Sequence, residues 1–160
     1  RAGIEVEEFD DSIRVRRTGP ILPVNVKTMP HPGFPTDMQP QMATMLCCAG
    51  GTSIISEGVW DNRFKYVDEL RKMGANIQVD GKVAVIEGVE QLTGAPVRAL
   101  DLRAGAAMLI AGLMADGCTE VEDIHHIERG YSDLVEKLNR LGADIRKVTC
   151  SDNETERALS

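Results

Sequence analysis

The chain has 160 residues, a formal net charge of −7 and an apolar fraction of 42%. These values are typical of one globular domain with a buried core. The acidic balance argues against a nucleic-acid partner, which requires a basic surface. No stretch approaches the ~20 apolar residues of a membrane span, and the opening Arg1-Ala2-Gly3 is unlike a signal peptide. Four cysteines without C-x-x-C spacing favour reduced thiols. We therefore expect a cytoplasmic protein without a nucleic-acid or membrane partner.

Alternating apolar and polar residues predict two β-hairpins. The first covers residues 4–15, and the second covers residues 77–85 around an Asp80-Gly81 turn. A short strand is predicted after each hairpin, at residues 23–26 and 96–99. The two halves of the chain thus begin with the same order of elements.

A helix is predicted after each short strand, opened by Asp37 in the first half and by Asp101 in the second. The first helix is expected to bury the face that carries Met38, Met42, Met45, Leu46 and Ala49. The second helix is apolar on almost every side and is therefore expected to be buried on most sides.

The second part of each half is predicted to be a strand and a helix. The strands are residues 52–59 and 118–124, and Arg63 or Arg129 stands near the start of the helix that follows. Each helix is predicted to end at a Gly-Ala pair, and a final strand then begins at Ile77 or Ile145.

The pattern predicts a mixed α/β fold made of a repeated hairpin-strand-helix-strand-helix unit. Repeat 1 covers about residues 4–75 and repeat 2 about residues 77–147, within one domain of residues 1–147. Residues 148–160 form a polar tail. Repeat 1 carries an insert at residues 27–35 that repeat 2 lacks, and a loop added to one copy is a favoured place for function.

Asp37 directly follows this proline-rich insert. Thr36 and Gln39 have the spacing of a capping box, which predicts that Thr36 caps the helix and that Gln39 reaches back. Asp37 would then lie at the first helical position, beside the partial positive charge of the helix terminus. Two interpretations stay open: a carboxylate that only favours the helix dipole, and an acceptor aimed into a cleft that takes a proton from a substrate hydroxyl.

Three other groups are candidates for a site. Trp60-Asp61-Asn62-Arg63 is either a helix start capped by Asp61 or an edge that binds a planar or sugar-like ligand. Arg129 is either solvated or paired, or it clamps a carboxylate or phosphate. His125 and His126 are expected to point to opposite faces of a strand, which disfavours a metal site. Cys47 and Cys48 are interpreted as packing residues.

Four stretches, in order, resemble the UDP-N-acetylglucosamine enolpyruvyl transferase family: residues 27–41, 56–64, 99–104 and 127–131. The resemblance implies an inside-out α/β barrel, or α-β prism, in which strand-helix repeats surround central helices. It also implies transfer of the enolpyruvyl group of phosphoenolpyruvate to the 3-hydroxyl of UDP-N-acetylglucosamine, the first committed step of peptidoglycan synthesis. The chain is similar to the C-terminal part of that family's sequence.

The resemblance also implies roles for particular residues. Asp37 would contact the sugar hydroxyl as general base, and Arg129 would bind phosphoenolpyruvate. The residues implied to bind substrate are Asp37, Val59, Trp60, Arg63, Asp101, Arg103 and Arg129. Trp60-Asp61 stands where many relatives have Phe-Glu, which is a chemically conservative exchange at the implied nucleotide pocket.

The resemblance implies neither a metal nor another cofactor, and it makes the missing N-terminal part of the enzyme a partner of this chain. None of the four cysteines matches the family's reactive cysteine, so the chain alone is expected to be inactive. Two alternatives stay open: an enzyme similar to 5-enolpyruvylshikimate-3-phosphate synthase, and a non-catalytic binding module with the same fold.

Overall fold

The structure, a computed structural model, describes residues 1–149. Residues 150–160, most of the predicted polar tail, lie outside the described part. The chain divides into two compact units, Arg1–Ile127 and Glu128–Ser160, and each is described by itself.

Strands and helices alternate in much of the described chain. The strands are β1 (Ile4–Glu8), β2 (Ile13–Arg17), β3 (Val26–Lys27), β4 (Thr52–Ser56), β5 (Asn76–Asp80), β6 (Val83–Glu87), β7 (Pro96–Arg98) and β8 (Glu120–Glu122). The α-helices are α1 (Gln39–Leu46), α2 (Val67–Lys72), α3 (Leu102–Met114), α4 (His125–Glu128) and α5 (Leu134–Arg140). The 3-10 helices Thr36–Met38 and Arg63–Tyr66 lead directly into α1 and α2.

Both predicted hairpins are present. β1 and β2 pair antiparallel, with Val6 opposite Val15, and β5 pairs with β6 around the Asp80-Gly81 turn. Gly81 has φ +54°, the left-handed conformation that a tight hairpin turn needs and that glycine adopts without strain. The second hairpin belongs to a four-stranded sheet with the order β3-β4-β6-β5.

Two strand-helix-strand segments determine where the site lies. β3 and β4 run parallel and are connected through α1, while β7 and β8 run parallel and are connected through α3. Because α1 packs against α3, the N-terminal ends of these two helices belong to one compact unit.

The mixed α/β fold is confirmed by this order of strands and helices, and the division into two repeats stays a prediction.

The buried faces of the two helices differ from the prediction. α1 buries the side that carries Gln39, Pro40, Ala43, Thr44 and Leu46, whereas Met38 is 51% exposed. Polar Gln39 and Thr44 are buried with hydrogen bonds: Gln39 Oε1 accepts from the Tyr66 hydroxyl, and the Thr44 hydroxyl donates to the Pro40 carbonyl. The Nε2 of Gln39 has no partner among the described residues.

α3 is buried on every side from Ala104 to Met108, a run longer than one helical turn, and partly exposed after it. Its small residues, from Ala104 to Ala107, and Met108 lie in the core, while Ile110 and Leu113 are exposed. The predicted burial on most sides is therefore confirmed for residues 104–108, and the second half of the helix leaves Ile110 and Leu113 exposed. Within residues 1–149, no helix is long and apolar enough to cross a membrane.

The other corrections concern local structure. The strands predicted at residues 52–59 and 118–124 are shorter, and residues 145–149 form no strand among the described residues. His125 and His126 begin a short helix instead of lying on a strand, and their ring centroids are 4.1 Å apart. The premise that they point to opposite faces was wrong.

The second unit contains α5. Gly142 follows that helix with φ +95°, as the predicted Gly-Ala stop requires. The Asn139 side chain then donates to the Ile145 carbonyl at 2.8 Å and accepts from its N–H at 3.1 Å. These two bonds fold the chain back against the end of α5.

Candidate active site

Asp37 lies between two arginines in the first unit. Its Oδ1 accepts a hydrogen bond from Nη2 of Arg63 at 2.9 Å and another from Nε of Arg103. The Arg63 side chain is only 15% exposed, while the Asp37 carboxylate is 58% exposed. Two of the arginines implied by the resemblance thus converge on the candidate base, which remains open to solvent.

The arginines determine the charge state of Asp37. The hydrogen bond and charge of Arg103, helped by Arg63, outweigh a partial desolvation and lower the pKa of the Asp37 carboxyl below its ordinary value. Asp37 is therefore ionised at neutral pH, as an acceptor for a substrate hydroxyl must be. Its basicity is nevertheless weak for as long as both arginines stay bound to it.

Replacing Arg103 by Met should raise the pKa of Asp37 toward its ordinary value, because the group that lowers it most is removed. In the native chain the stability from this ion pair is present above about pH 4 and is lost as the pH falls through the lowered pKa. Carboxyl-carbon NMR titration of the 160-residue chain measures the pKa of Asp37, and denaturant unfolding at several pH values measures the stability. Arg98→Met is the control, since Arg98 pairs with Asp123 instead. An Asp37 titration unchanged in Arg103→Met would contradict the assignment.

Asp101 holds the start of α3 in place. Its carboxylate accepts hydrogen bonds from the backbone N–H groups of Arg103 and Ala104, both at 2.8 Å, so the predicted helix cap is confirmed. Because the cap fixes the first turn of α3, it also fixes the position from which the Arg103 side chain reaches Asp37.

A cleft of about 480 Å³ lies beside the ion pair. Its lining residues are Trp60, Asp61, Asn62, Arg63, Lys65, Tyr66, Leu100, Asp101 and Ala104. Trp60 is 59% exposed and offers an aromatic face, while the buried Nε of Arg63 has no hydrogen-bond partner in the described part of the chain. An aromatic surface beside charged donors suits a ligand with a planar or sugar part and an anionic part.

Glu57 is the site residue that the sequence analysis missed. It is only 3% exposed, and its carboxylate accepts four hydrogen bonds, from the Thr28 and Thr36 hydroxyls and from the backbone N–H groups of Val59 and Trp60. Burial raises the pKa of Glu57, but the four hydrogen bonds outweigh it, so the pKa is lowered and the group is ionised. The stretch 56–64 contains Glu57 but carries no signal that distinguishes it from a solvated glutamate.

The structure corrects three predictions about the two helix starts near the site. The capping box was wrong, because Thr36 donates to Glu57 and Gln39 accepts from Tyr66. Asp61 does not act as the helix cap among the described residues: Asn62 holds that position with φ 54°, and Asp61 pairs with Lys82 at 2.8 Å. Asp37 therefore lies in the short 3-10 helix before α1 rather than at the first position of α1.

The remaining candidates lie in different surroundings. Val59 is 38% exposed, and its N–H is bound to Glu57. Arg129 belongs to the second unit, between α4 and α5, so its predicted contact with phosphoenolpyruvate stays a prediction. Cys47 is buried, and burial raises the pKa of its thiol to about 12, which fits the packing role. No metal-binding cluster of His, Cys, Asp and Glu occurs within residues 1–149.

The fold and the cleft define a mixed α/β protein with a carboxylate held between two arginines. Residues 1–138 match the family of EPSP synthase (3-phosphoshikimate 1-carboxyvinyltransferase). The chain belongs to this family.

Individual relatives narrow the comparison. The chain is 58% identical to UDP-N-acetylglucosamine 1-carboxyvinyltransferase 3 of Caldanaerobacter subterraneus subsp. tengcongensis, over 91% of this chain and 35% of that protein. It is 57% identical to UDP-N-acetylglucosamine 1-carboxyvinyltransferase of Desulfofundulus thermocisternus, over 90% of this chain and 59% of that protein. The chain thus spans between about a third and three fifths of the length of these relatives.

Solved structures agree on the fold. The enolpyruvyl transferase NikO from Streptomyces tendae superimposes with a TM-score of 0.85 and 38% identity, covering 94% of this chain and 35% of that one. EPSP synthase from Acinetobacter baumannii superimposes with a TM-score of 0.59 at 20% identity, over 92% of this chain and 35% of that one. At that lower identity the likeness concerns the fold alone.

Proposed function

We propose that this chain is the C-terminal part of an enzyme that transfers the enolpyruvyl group of phosphoenolpyruvate to the 3-hydroxyl of UDP-N-acetylglucosamine. The observation that carries the proposal is the ionised Asp37 held by Arg103 and by Arg63, which also lines the cleft. The names of relatives that are 51–58% identical support this choice of acceptor. The activity would serve peptidoglycan synthesis in the bacterial cytoplasm.

The pairing of Asp37 suggests how the site uses its charges. Asp37 orients the acceptor hydroxyl by accepting its hydrogen bond and takes its proton as the hydroxyl oxygen bonds to the enolpyruvyl carbon of phosphoenolpyruvate. The bond between that carbon and the phosphate oxygen then breaks, and inorganic phosphate leaves. Arginine donors also bind carboxylate and phosphate groups strongly, so phosphoenolpyruvate competes with Asp37 for Arg63 and Arg103. When phosphoenolpyruvate is bound, each arginine hydrogen bond that moves from Asp37 to phosphoenolpyruvate raises the basicity of Asp37.

Two other functions can be separated from this one by experiment. The family description names 3-phosphoshikimate, an acceptor that carries a phosphate and lacks a nucleotide. A full-length polypeptide containing this chain should release phosphate from phosphoenolpyruvate with UDP-N-acetylglucosamine and not with shikimate 3-phosphate. The opposite preference would favour the second enzyme, and no release with either acceptor would favour a binding module.

The 160-residue chain alone should release no phosphate from phosphoenolpyruvate. The reactive cysteine implied by the resemblance is missing from it, and a site that is split loses most of its transition-state stabilisation. A phosphate-release assay on the purified chain, with the full-length polypeptide as positive control, measures this. Release that grows with the concentration of the chain and disappears in Asp37→Ala would contradict the prediction.

A further inference from the structure

Glu57 connects three segments of the candidate site, although the resemblance assigned it no role. Its Oε1 accepts from the Thr28 hydroxyl at 2.7 Å, and its Oε2 accepts from the Thr36 hydroxyl at 3.0 Å. Thr28 lies at the start of the proline-rich insert, residues 27–35, and Thr36 directly follows it. One buried carboxylate therefore joins both ends of the insert and the residue next to Asp37.

The Oε1 oxygen of Glu57 also holds the loop between β4 and the 3-10 helix at Arg63, residues 57–62, which carries Trp60 and is called the Trp60 loop. Oε1 accepts from the N–H groups of Val59 at 2.9 Å and of Trp60 at 3.1 Å. This loop continues to Arg63, which donates to Asp37. Both sides of the Asp37–Arg63 ion pair thus depend on bonds to one carboxylate.

Glu57 itself is held from a third direction. Its backbone N–H donates to the Lys82 carbonyl at 2.7 Å, in the turn between β5 and β6. The Thr28 hydroxyl accepts from the Gly58 N–H at 2.8 Å while it donates to Glu57. Thr28 is fully buried and Glu57 nearly so, so water competes little with these bonds.

We propose that Glu57 is a positioning residue for the transfer reaction: it holds Asp37 and the Val59–Trp60 backbone in the geometry that the cleft requires. This inference rests on the proposed function for its kinetic consequence. The hydrogen-bonded tether that Glu57 forms between the insert and the Trp60 loop does not depend on the proposed function. A hydrogen-bonded carboxylate suits this role because it accepts several bonds at once without donating any.

Trp60 allows the tether to be tested without any assay of activity. It is the only tryptophan in the 160-residue chain, so its fluorescence anisotropy reports on this loop alone. Glu57→Ala should lower the anisotropy of Trp60, and Glu57→Gln, which keeps the size and one acceptor oxygen, should lower it less. If the Glu57→Ala chain is folded by circular dichroism and its anisotropy is unchanged, the tether does not exist.

Glu69 provides a matched control. It is also a buried glutamate in the first unit, but its carboxylate binds Lys72 and the Arg98 N–H, at 2.8 Å and 2.9 Å. Glu69→Ala should lower the melting temperature and leave the Trp60 anisotropy unchanged. An equal fall in anisotropy in both alanine variants would assign Glu57 a general structural role and overturn the proposal.

The kinetic test uses the full-length polypeptide well below its melting temperature. Glu57→Ala should lower kcat by about 100-fold, the effect of a misplaced catalytic group, and change KM much less. In the Asp37→Ala background the same substitution should cost at least about tenfold less than in the native background, because one of the groups that it positions is gone. Losses that multiply fully in the double variant would overturn the proposal. Wild-type protein without transferase activity would instead reject the proposed function and leave the anisotropy result valid.

Discussion

Replacing Asp37 by Asn or Ala in the full-length polypeptide is expected to lower turnover by about 10²–10⁴-fold, the usual contribution of a positioned general base. Folding should change little. The Asp37 carboxylate is 58% exposed, and each of its two ion pairs, with Arg63 and with Arg103, contributes about 0–1 kcal/mol to the free energy of unfolding. A large loss of kcat/KM beside a nearly unchanged melting temperature is therefore the expected pair of results.

Asp68 serves as the control for this prediction. It is 75% exposed and pairs with Arg71 at 2.7 Å, so Asp68→Asn removes an exposed ion pair without touching the cleft. Its turnover should stay close to that of the native protein. If Asp37→Asn keeps more than a tenth of the activity while its melting temperature falls sharply, Asp37 only supports the helix start.

Local patterns predicted much of the fold correctly. The hairpin turn at Asp80-Gly81, the cap at Asp101 and the helix end at Gly142 each depend on a few neighbouring residues. Short-range hydrogen bonds and glycine conformations determine such features, and the sequence displays them directly.

The errors arose where a distant partner changed a local preference. Thr36 and Gln39 have capping-box spacing, but Thr36 bonds to Glu57, 21 residues further along, and Gln39 is drawn into the core by Tyr66. The buried side of α1 consequently includes a glutamine and excludes Met38. Hydrophobic periodicity cannot predict a polar side chain that is buried because its partner is buried with it.

In the candidate site too, the sequence indicated single residues but not the contacts between residues that are distant in the chain. Periodicity and spacing indicated Asp37 and Arg63 separately, and the resemblance added Arg103, but their contacts join residues 26 and 66 positions apart. Only the packing of α1 against α3 within one unit brings these side chains together. Glu57 was missed because its four partners are recognisable only in the folded chain.

Gly58 is the position at which the smallest substitution should have a large effect on the site. A Cβ at Gly58 would lie 2.5 Å from the backbone carbonyl oxygen of Thr28, too close for any real contact. The Thr28 backbone cannot move away freely, because its N–H is bound to the Ser56 carbonyl at 2.9 Å and its hydroxyl is bound to Glu57. Gly58→Ala must therefore displace either the insert or the Trp60 loop.

We expect Gly58→Ala to lower the free energy of unfolding by about 1–3 kcal/mol, the usual cost of overpacking. Turnover of the full-length polypeptide should fall by about 100-fold, since a shift of about 1 Å at Asp37 or Arg63 is enough for such a loss. Gly19→Ala is the control, because a Cβ there meets nothing within 4 Å. Denaturant unfolding and steady-state kinetics measure the two effects. If Gly58→Ala is as stable and as active as the native protein, the insert and the Trp60 loop can move apart at no cost. The close approach of Gly58 to Thr28 would then not position the site.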